Sequence, residues 1–379
     1  MASLRQACSS IGFILRCGEA IFIMQGISSG KVLILGGYLV LFPQYFGIVL
    51  ACSSKITCKL RTLPGCLNHI WVKSAQFNLE TCFKSVPFVD PGDSNVFISE
   101  TLKTVLYFVS LYREVKGDDI EIEIQGDEAF YTCGKTGLGS SAALTTALVK
   151  VILQYYELTD SKLVHYVAQV SHFRAQEKIG SGFDVSAAVY GSILFRRHLS
   201  EVVKGLLDEL SIGKNVLERE LDEWQVPEKF NLGSNLQVVL CCNQKSGANT
   251  RLLVRELLKW VEEKSNFEYF DEMQSFILEF LESLKTQDWE NIKIVSKKVK
   301  TLLRFISTES GVEILPEDIK TQMELVESTL NDVVFSSVPG AGGYDAYYFL
   351  IKKETWNEAR DYLSQAFPDL QILDVQCGD

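Results

Sequence analysis

Lys135-Thr-Gly-Leu-Gly-Ser-Ser-Ala-Ala-Leu144 is the stretch on which the reading of this chain turns. Gly137 and Gly139 let the backbone turn tightly and approach a ligand closely. Ser140 and Ser141 follow, and an apolar run over 142–153 starts a helix. A glycine turn feeding a helix N-terminus presents unpaired N–H groups and a positive dipole end, an anion site. The two hydroxyls would add a phosphate contact and a Mg²⁺ ligand. The plainer alternative is a serine cap on a buried helix. A Walker loop fails, because Ala129 stands where its first glycine belongs. The dinucleotide pattern G-x-G-x-x-A does fit Gly137, Gly139 and Ala142, with Asp160 about 20 residues on. Its context does not fit: the strand expected over 120–125 ends well before the glycines, and Asp160 follows a helix.

The chain has 379 residues, 47% hydrophobic and 22% charged, the composition of a globular protein of two domains. No apolar run reaches the roughly 18–20 residues of a membrane helix. A net charge of −11 disfavours nucleic acid and requires a local cation cluster for any anionic ligand. None of the ten cysteines forms C-x-x-C, and the four histidines are scattered, so reduced core thiols are expected and a zinc site is not. Residues 1–18 carry Arg5 and Arg16 and no acid, faintly like an organelle-targeting segment. An N-terminal extension over 1–24 is the expectation, in a cytoplasmic protein with a peroxisome or other organelle as the alternative.

Strands are expected near 31–35, 47–53, 56–61, 70–77 and 120–125, and a returning strand over 187–195. Helices are expected over 101–115, 142–156 and 163–176. A charged helical stretch over 201–230, punctuated by Pro227 and Gly233, marks a boundary between domains at 25–230 and 231–379. Beyond it come a strand at 236–242, four helices between 248 and 330, strands at 333–337, 347–351 and 370–375, and a helix over 354–366. Strands and helices in blocks argue for an α+β architecture.

Three further stretches resist explanation as core or turn. Ser28-Ser-Gly-Lys-Val-Leu-Ile-Leu-Gly-Gly-Tyr-Leu-Val-Leu-Phe-Pro43 sets Lys31 at the head of a buried strand. Lys178-Ile-Gly-Ser-Gly-Phe-Asp184 puts a carboxylate at the edge of a small apolar segment. Val338-Pro-Gly-Ala-Gly-Gly-Tyr-Asp-Ala346 packs three glycines into four residues between strands. Singly they read as a snorkelling lysine, a helix cap and a bulged hairpin.

Together and in this order the four motifs resemble the GHMP kinase superfamily of small-molecule kinases. Within it they are most similar to the fungal and plant type of phosphomevalonate kinase. The correspondence rests on G-K-x-L-x-x-G-G-Y-L-V-L at 30–41 and K-T-G-L-G-S-S-A at 135–142. It continues with A-Q-x-K-I-G-S-G-F-D-V-x-A-A-x-Y-G-S at 175–192 and P-G-A-G-G-Y-D-A at 339–346. Ser29 replaces a proline common in the first motif, and His172-Phe173 stands where related mevalonate kinases carry a Mg²⁺-binding glutamate.

The resemblance implies a ribosomal-S5-like N-terminal domain, a ferredoxin-like C-terminal domain and an active site between them. It implies phosphoryl transfer from ATP, with Mg²⁺, to phosphomevalonate in a monomer or homodimer. Asp184 and Lys31 would be catalytic. Lys135, Gly137, Leu138, Gly139, Ser140, Ser141 and Ala142 would hold ATP, with Ser141 also on the metal. Lys178, Ser181, Arg196, Ser246, Asn249, Gly342 and Gly343 would hold the acceptor, with Arg197 a further cation beside Asp184. The alternatives are another GHMP kinase, acting on mevalonate, homoserine or a sugar, and a non-catalytic protein of the same fold.

Overall fold

The computed structural model describes residues 12–16, 19–92, 94–131, 137–178, 180–243 and 250–375. Lys135, Ser246 and Asn249 lie outside them. The N-terminal sheet contains β1 (Gly12–Arg16), β2 (Glu19–Leu35), β3 (Phe46–Leu63), β4 (His69–Ser74), β5 (Leu79–Ser85) and β6 (Phe88–Val89). After helix α1 (Val96–Ser110) comes β7 (Asp119–Gly126), followed by α2 (Ser140–Tyr155), α3 (Ser161–Ala175) and α4 (Phe183–Tyr190). β8 (Ile193–Arg196), α5 (Glu201–Gly205), α6 (Lys214–Glu223) and β9 (Glu228–Lys229) complete this part. The strand order is β1-β2-β3-β7-β4-β5-β6, with β8 on β3 and β9 on β8.

Two expectations change here. Part of the segment assigned to an N-terminal extension forms the hairpin β1–β2, paired from Gly12↔Ile23 to Arg16↔Glu19. Its apolar, β-branched run continues the strand that carries the first motif. The returning strand expected over 187–195 is instead a short helix followed by a four-residue strand. Ser186, Ala187 and Ala188 are buried and small enough for a helix to sit close on its neighbours. Gly191, at φ +88°, ends that helix in a conformation that favours glycine.

Helix α2 is the core of this part. Ala142, Ala143, Ala147, Leu148, Val149 and Val151 are all buried. It lies against β2 at Gly26, where an added Cβ would sit 2.1 Å from the Ala147 carbonyl oxygen. That close approach fixes where the N-terminus of α2 falls relative to Lys31, on the same strand. Lys150 of α2 donates to the carbonyls of Ile27 and Ala188 at 3.0 and 3.2 Å, tying the far end of α4 in place. Burial without a carboxylate partner pushes this ammonium down to about 8.

The second sheet is antiparallel, in the order β11-β12-β10-β13, from β10 (Leu236–Asn243), β11 (Val333–Ser337), β12 (Ala346–Lys352) and β13 (Leu370–Val375). The helices α7 (Thr250–Lys264), α8 (Glu268–Thr286), α9 (Trp289–Ser310), α10 (Glu317–Thr329) and α11 (Trp356–Ala366) complete this α+β architecture. The two sheets meet through hydrogen bonds to backbone carbonyls. Gly340 N–H donates to Leu33 O at 3.0 Å, Tyr38 Oη to Ala341 O at 2.7 Å, and Tyr348 Oη to Ile34 O at 2.6 Å. A Cβ on Gly37 would lie 1.8 Å from Gly340 O, too close for any side chain. Gly37→Ala is therefore expected to destabilise the protein by about 1–3 kcal/mol through overpacking at this junction. Urea unfolding reads this as a lower midpoint; an unchanged midpoint would mean the two backbones are not held together here.

Candidate active site

A bulge aims the first functional side chain. The β2–β3 register shifts between Ser29 and Lys31, where Gly30 alone faces residues 52–54 of β3. A Cβ on Gly30 would lie 2.8 Å from the Phe130 ring and 3.0 Å from Leu138 O. Lys31 N–H donates to Leu138 O at 2.9 Å, and Lys31 Nζ donates to Gly137 O at 2.8 Å. One residue thus clamps the glycine loop with both its backbone and its side chain. The ammonium also sits 4.8 Å from the Phe183 ring centroid. Burial pulls the Lys31 pKa below its usual range, opposed by the charges of Asp184 and Cys52.

The loop itself ends at Gly139, in left-handed geometry (φ +72°), as the N-cap of α2. Glycine has no side chain, so the serine-cap reading does not hold. The first N–H groups of a buried helix and its positive end face the Lys31 ammonium's neighbourhood. The dinucleotide reading also fails: β7 ends at Gly126, and Asp160 is the N-cap of α3, accepting from Leu163 N–H at 2.9 Å.

Asp184 occupies the first turn of α4, behind Gly182 as N-cap. Gly182 has φ +88°, and a Cβ there would lie 2.6 Å from Gln169 Oε1, so glycine alone fits. Asp184 Oδ1 accepts from Val185 N–H at 3.0 Å, and Oδ2 lies 3.9 Å from His172 Nε2. The same Nε2 is 3.1 Å from Ser141 Oγ. The structure therefore gathers Lys31, Gly137, Leu138, Gly139, Ser140, Ser141, Ala142 and Asp184 around one helix N-terminus.

The acceptor-side residues are placed less uniformly. The charge of Lys178 acts on His172, which sets Lys178 beside this cluster. Ser181 and Arg196 line a cleft of about 440 Å³ with Gln169, Ser186 and Lys285, and neither Lys31 nor Asp184 lines it. The Arg196 guanidinium donates to Pro43 O and Gln44 O, and Arg197 to Leu41 O and Gly180 O. Gly342 would drive a Cβ to 2.2 Å from Ile314 O, and Gly343 N–H donates to that same oxygen at 2.8 Å. The close approach these glycines permit is to the chain's own backbone.

Residues 101–192 match the GHMP kinases N terminal domain. The phosphomevalonate kinase of Aspergillus fumigatus is 27% identical, covering 92% of this chain and 94% of its own length. The peroxisomal phosphomevalonate kinase of Arabidopsis thaliana is 25% identical, over 91% and 92% of the two chains. Among solved structures, the fold of Streptococcus pneumoniae phosphomevalonate kinase in complex with phosphomevalonate and AMPPNP superposes at a TM-score of 0.70. It is 15% identical and covers 93% of this chain and 100% of that one.

Sequence reasoning missed a polar stripe on α3. His165, Gln169, His172 and Gln176 recur at spacings of four, three and four, so they share one helix face. The first three are 5%, 4% and 1% exposed and face α4. The helical spacing of polar residues within an apolar helix was the available signal. Trp224 Nε1 donates to His165 Nδ1 at 2.8 Å, so the proton of this ring sits on Nε2 and donates to Ser186 Oγ at 2.8 Å. Burial pushes His165 down to about 3, and it serves packing between α3, α4 and the end of α6.

The loop geometry gives a direct test. In Gly139→Val a β-branched residue meets φ +72°, and its Cβ falls 2.8 Å from Lys31 Cε. ATP affinity, measured by calorimetry, should fall at least ~10-fold, about 1.4 kcal/mol. A folded variant with unchanged affinity would remove the loop from the nucleotide site.

Proposed function

We propose that this chain transfers the γ-phosphoryl group of ATP to (R)-5-phosphomevalonate, giving ADP and 5-diphosphomevalonate. The observation that carries the reading is the convergence of Lys31, the glycine loop and Asp184 at the uncapped N-terminus of α2. The acceptor is supported by the relatives named phosphomevalonate kinase, which match over most of their length and this chain's. Buried free thiols at Cys58 and Cys241 suit a reducing compartment, and the cytoplasm is the one proposed.

Phosphoryl transfer depends on positioning and charge neutralisation rather than covalent help. The N–H groups at the start of α2 and the loop backbone would take the nucleotide phosphates. Lys31, already fixed on Gly137, would neutralise charge on the transferring group. The acceptor is itself a phosphate with a second pKa of about 6, so at neutral pH it is mostly ionised and needs little proton removal. Asp184 then serves chiefly to hold the Lys31 charge and the metal.

Among the described residues no group of three His, Cys, Asp or Glu side chains forms a metal cage. One carboxylate, Asp184, and one hydroxyl, Ser141, fit Mg²⁺ carried in on the nucleotide, which keeps phosphate and water ligands. Bound there, Mg²⁺ would supply charge neutralisation between the phosphates.

Turnover with ATP, Mg²⁺ and phosphomevalonate, compared with mevalonate, homoserine and galactose in a coupled ADP assay, tests the assignment. Phosphomevalonate should give the highest kcat/KM; preference for another acceptor, or no turnover, would refute it.

The role given to Asp184 has its own consequence. Asp184→Asn keeps the shape and removes the charge, so kcat should fall about 10²-fold or more with no rescue at high pH. The lost carboxylate no longer raises the Lys31 pKa, so more of Lys31 is neutral at a given pH. The alkaline limb of kcat/KM must then move to lower pH. Rescue by alkali would instead identify Asp184 as a general base.

A further inference from the structure

We propose that His172 is a positioning residue of the nucleotide site: its Nε2 takes the hydroxyl proton of Ser141, so that the Ser141 oxygen lone pairs face the cleft. The inference rests on the kinase reading of the site and goes beyond it to a residue of α3 that touches no substrate.

Three contacts at one nitrogen carry it. Gln176 Nε2 lies 3.2 Å from His172 Nε2, and an amide nitrogen only donates. His172 Nε2 is therefore an acceptor, and the ring proton is on Nδ1. Ser141 Oγ, 3.1 Å from the same unprotonated Nε2, then donates as well and shares the ring's one lone pair with the amide. A serine has one proton, so what it presents elsewhere is lone pairs alone. An oxygen locked in that way is a cation ligand and not a donor to an approaching anion. Asp184 Oδ2, 3.9 Å from Nε2, completes the arrangement, so one ring touches the two groups assigned to the metal.

The other side of the ring argues against a purely structural role. His172 Nδ1 is buried and has no hydrogen-bond partner among the described residues. Leaving a buried donor unpaired costs stability, and a leucine or methionine of similar size would avoid that cost. The ring is also 5.6 Å from Phe97, in surroundings that suit an apolar side chain. A polar ring kept there at a cost to stability is explained by what its Nε2 does.

The test compares His172→Leu, His172→Met and His172→Gln with wild type and with Ser141→Ala. The readouts are calorimetric binding of AMPPNP with Mg²⁺ and with EDTA, kcat with phosphomevalonate, and thermal stability. His172→Leu and His172→Met should keep or raise the melting temperature, because the unpaired donor is gone. Both should lose ~10-fold or more of the Mg²⁺-dependent gain in nucleotide affinity, and kcat should drop in proportion. His172→Gln, whose amide oxygen reaches about as far as Nε2, should recover most of both. In the Ser141→Ala background, His172→Leu should change little further, since the two act as one unit.

Full Mg²⁺ dependence in His172→Leu, additive losses in the double variant, or a collapse of stability in both apolar variants would overturn the proposal. The binding arm needs no acceptor. A wild-type protein that binds Mg²⁺ and nucleotide but does not turn over phosphomevalonate would refute the acceptor and leave His172 to be judged on its own.

Discussion

Everything at the candidate site hangs on the clamp between Lys31 and the glycine loop. Opposite Gly30 the β2–β3 ladder slips, with residues 52–54 of β3 facing this one residue of β2. There the N–H of Lys31 bonds Leu138 O, and its Nζ reaches Gly137 O. A strand and a loop more than a hundred residues apart in sequence become one rigid unit. The carbonyls it engages are turned toward the lysine, which leaves the N–H side of the loop and of α2 for an anion. The clamp works only because α2 lies directly on β2 at Gly26, where no side chain fits.

Close contact of this kind recurs along the chain, against backbone at Gly26, Gly37 and Gly342 and against a side chain at Gly182, and it explains these glycines better than flexibility does. Gly26 admits α2, Gly37 admits the Gly340 carbonyl, Gly182 admits Gln169 and Gly342 admits Ile314. At Gly37 the two parts are therefore joined by a contact that a single methyl group would break. The contact of Gly37 with Gly340 holds the first and fourth motifs together, although Gly342 and Gly343 meet protein rather than open cleft.

The charges are arranged in opposition. The protein carries a net charge of −11, yet the site gathers Lys31 and Lys178 near one carboxylate. Burial weakens the Lys31 charge and Asp184 restores it, so the pair is tuned by desolvation against attraction. Arg196 and Arg197 look from the sequence like further anion-binding cations. The structure uses them to hold the carbonyls of residues 41, 43, 44 and 180, which shapes the loops around the cleft.

The sequence by itself determined the α+β class, the strands and helices with strong periodicity, and the glycine loop opening α2. Those features are local: spacing of apolar residues, glycine backbone freedom and helix starts are set by neighbours along the chain. It also made the four motifs legible as one site, because long motifs in a fixed order are specific where each alone is not. What only the tertiary structure decided depends on atoms brought together from afar. The strand expected over 187–195 became helix α4 because its small side chains pack against α2 and β2, an effect no local propensity contains. The polar stripe of α3 gained meaning only when α4 covered it. His172, a scattered histidine in the sequence, stands between Ser141 and Asp184 because three helix ends converge there, and convergence is a property of the fold.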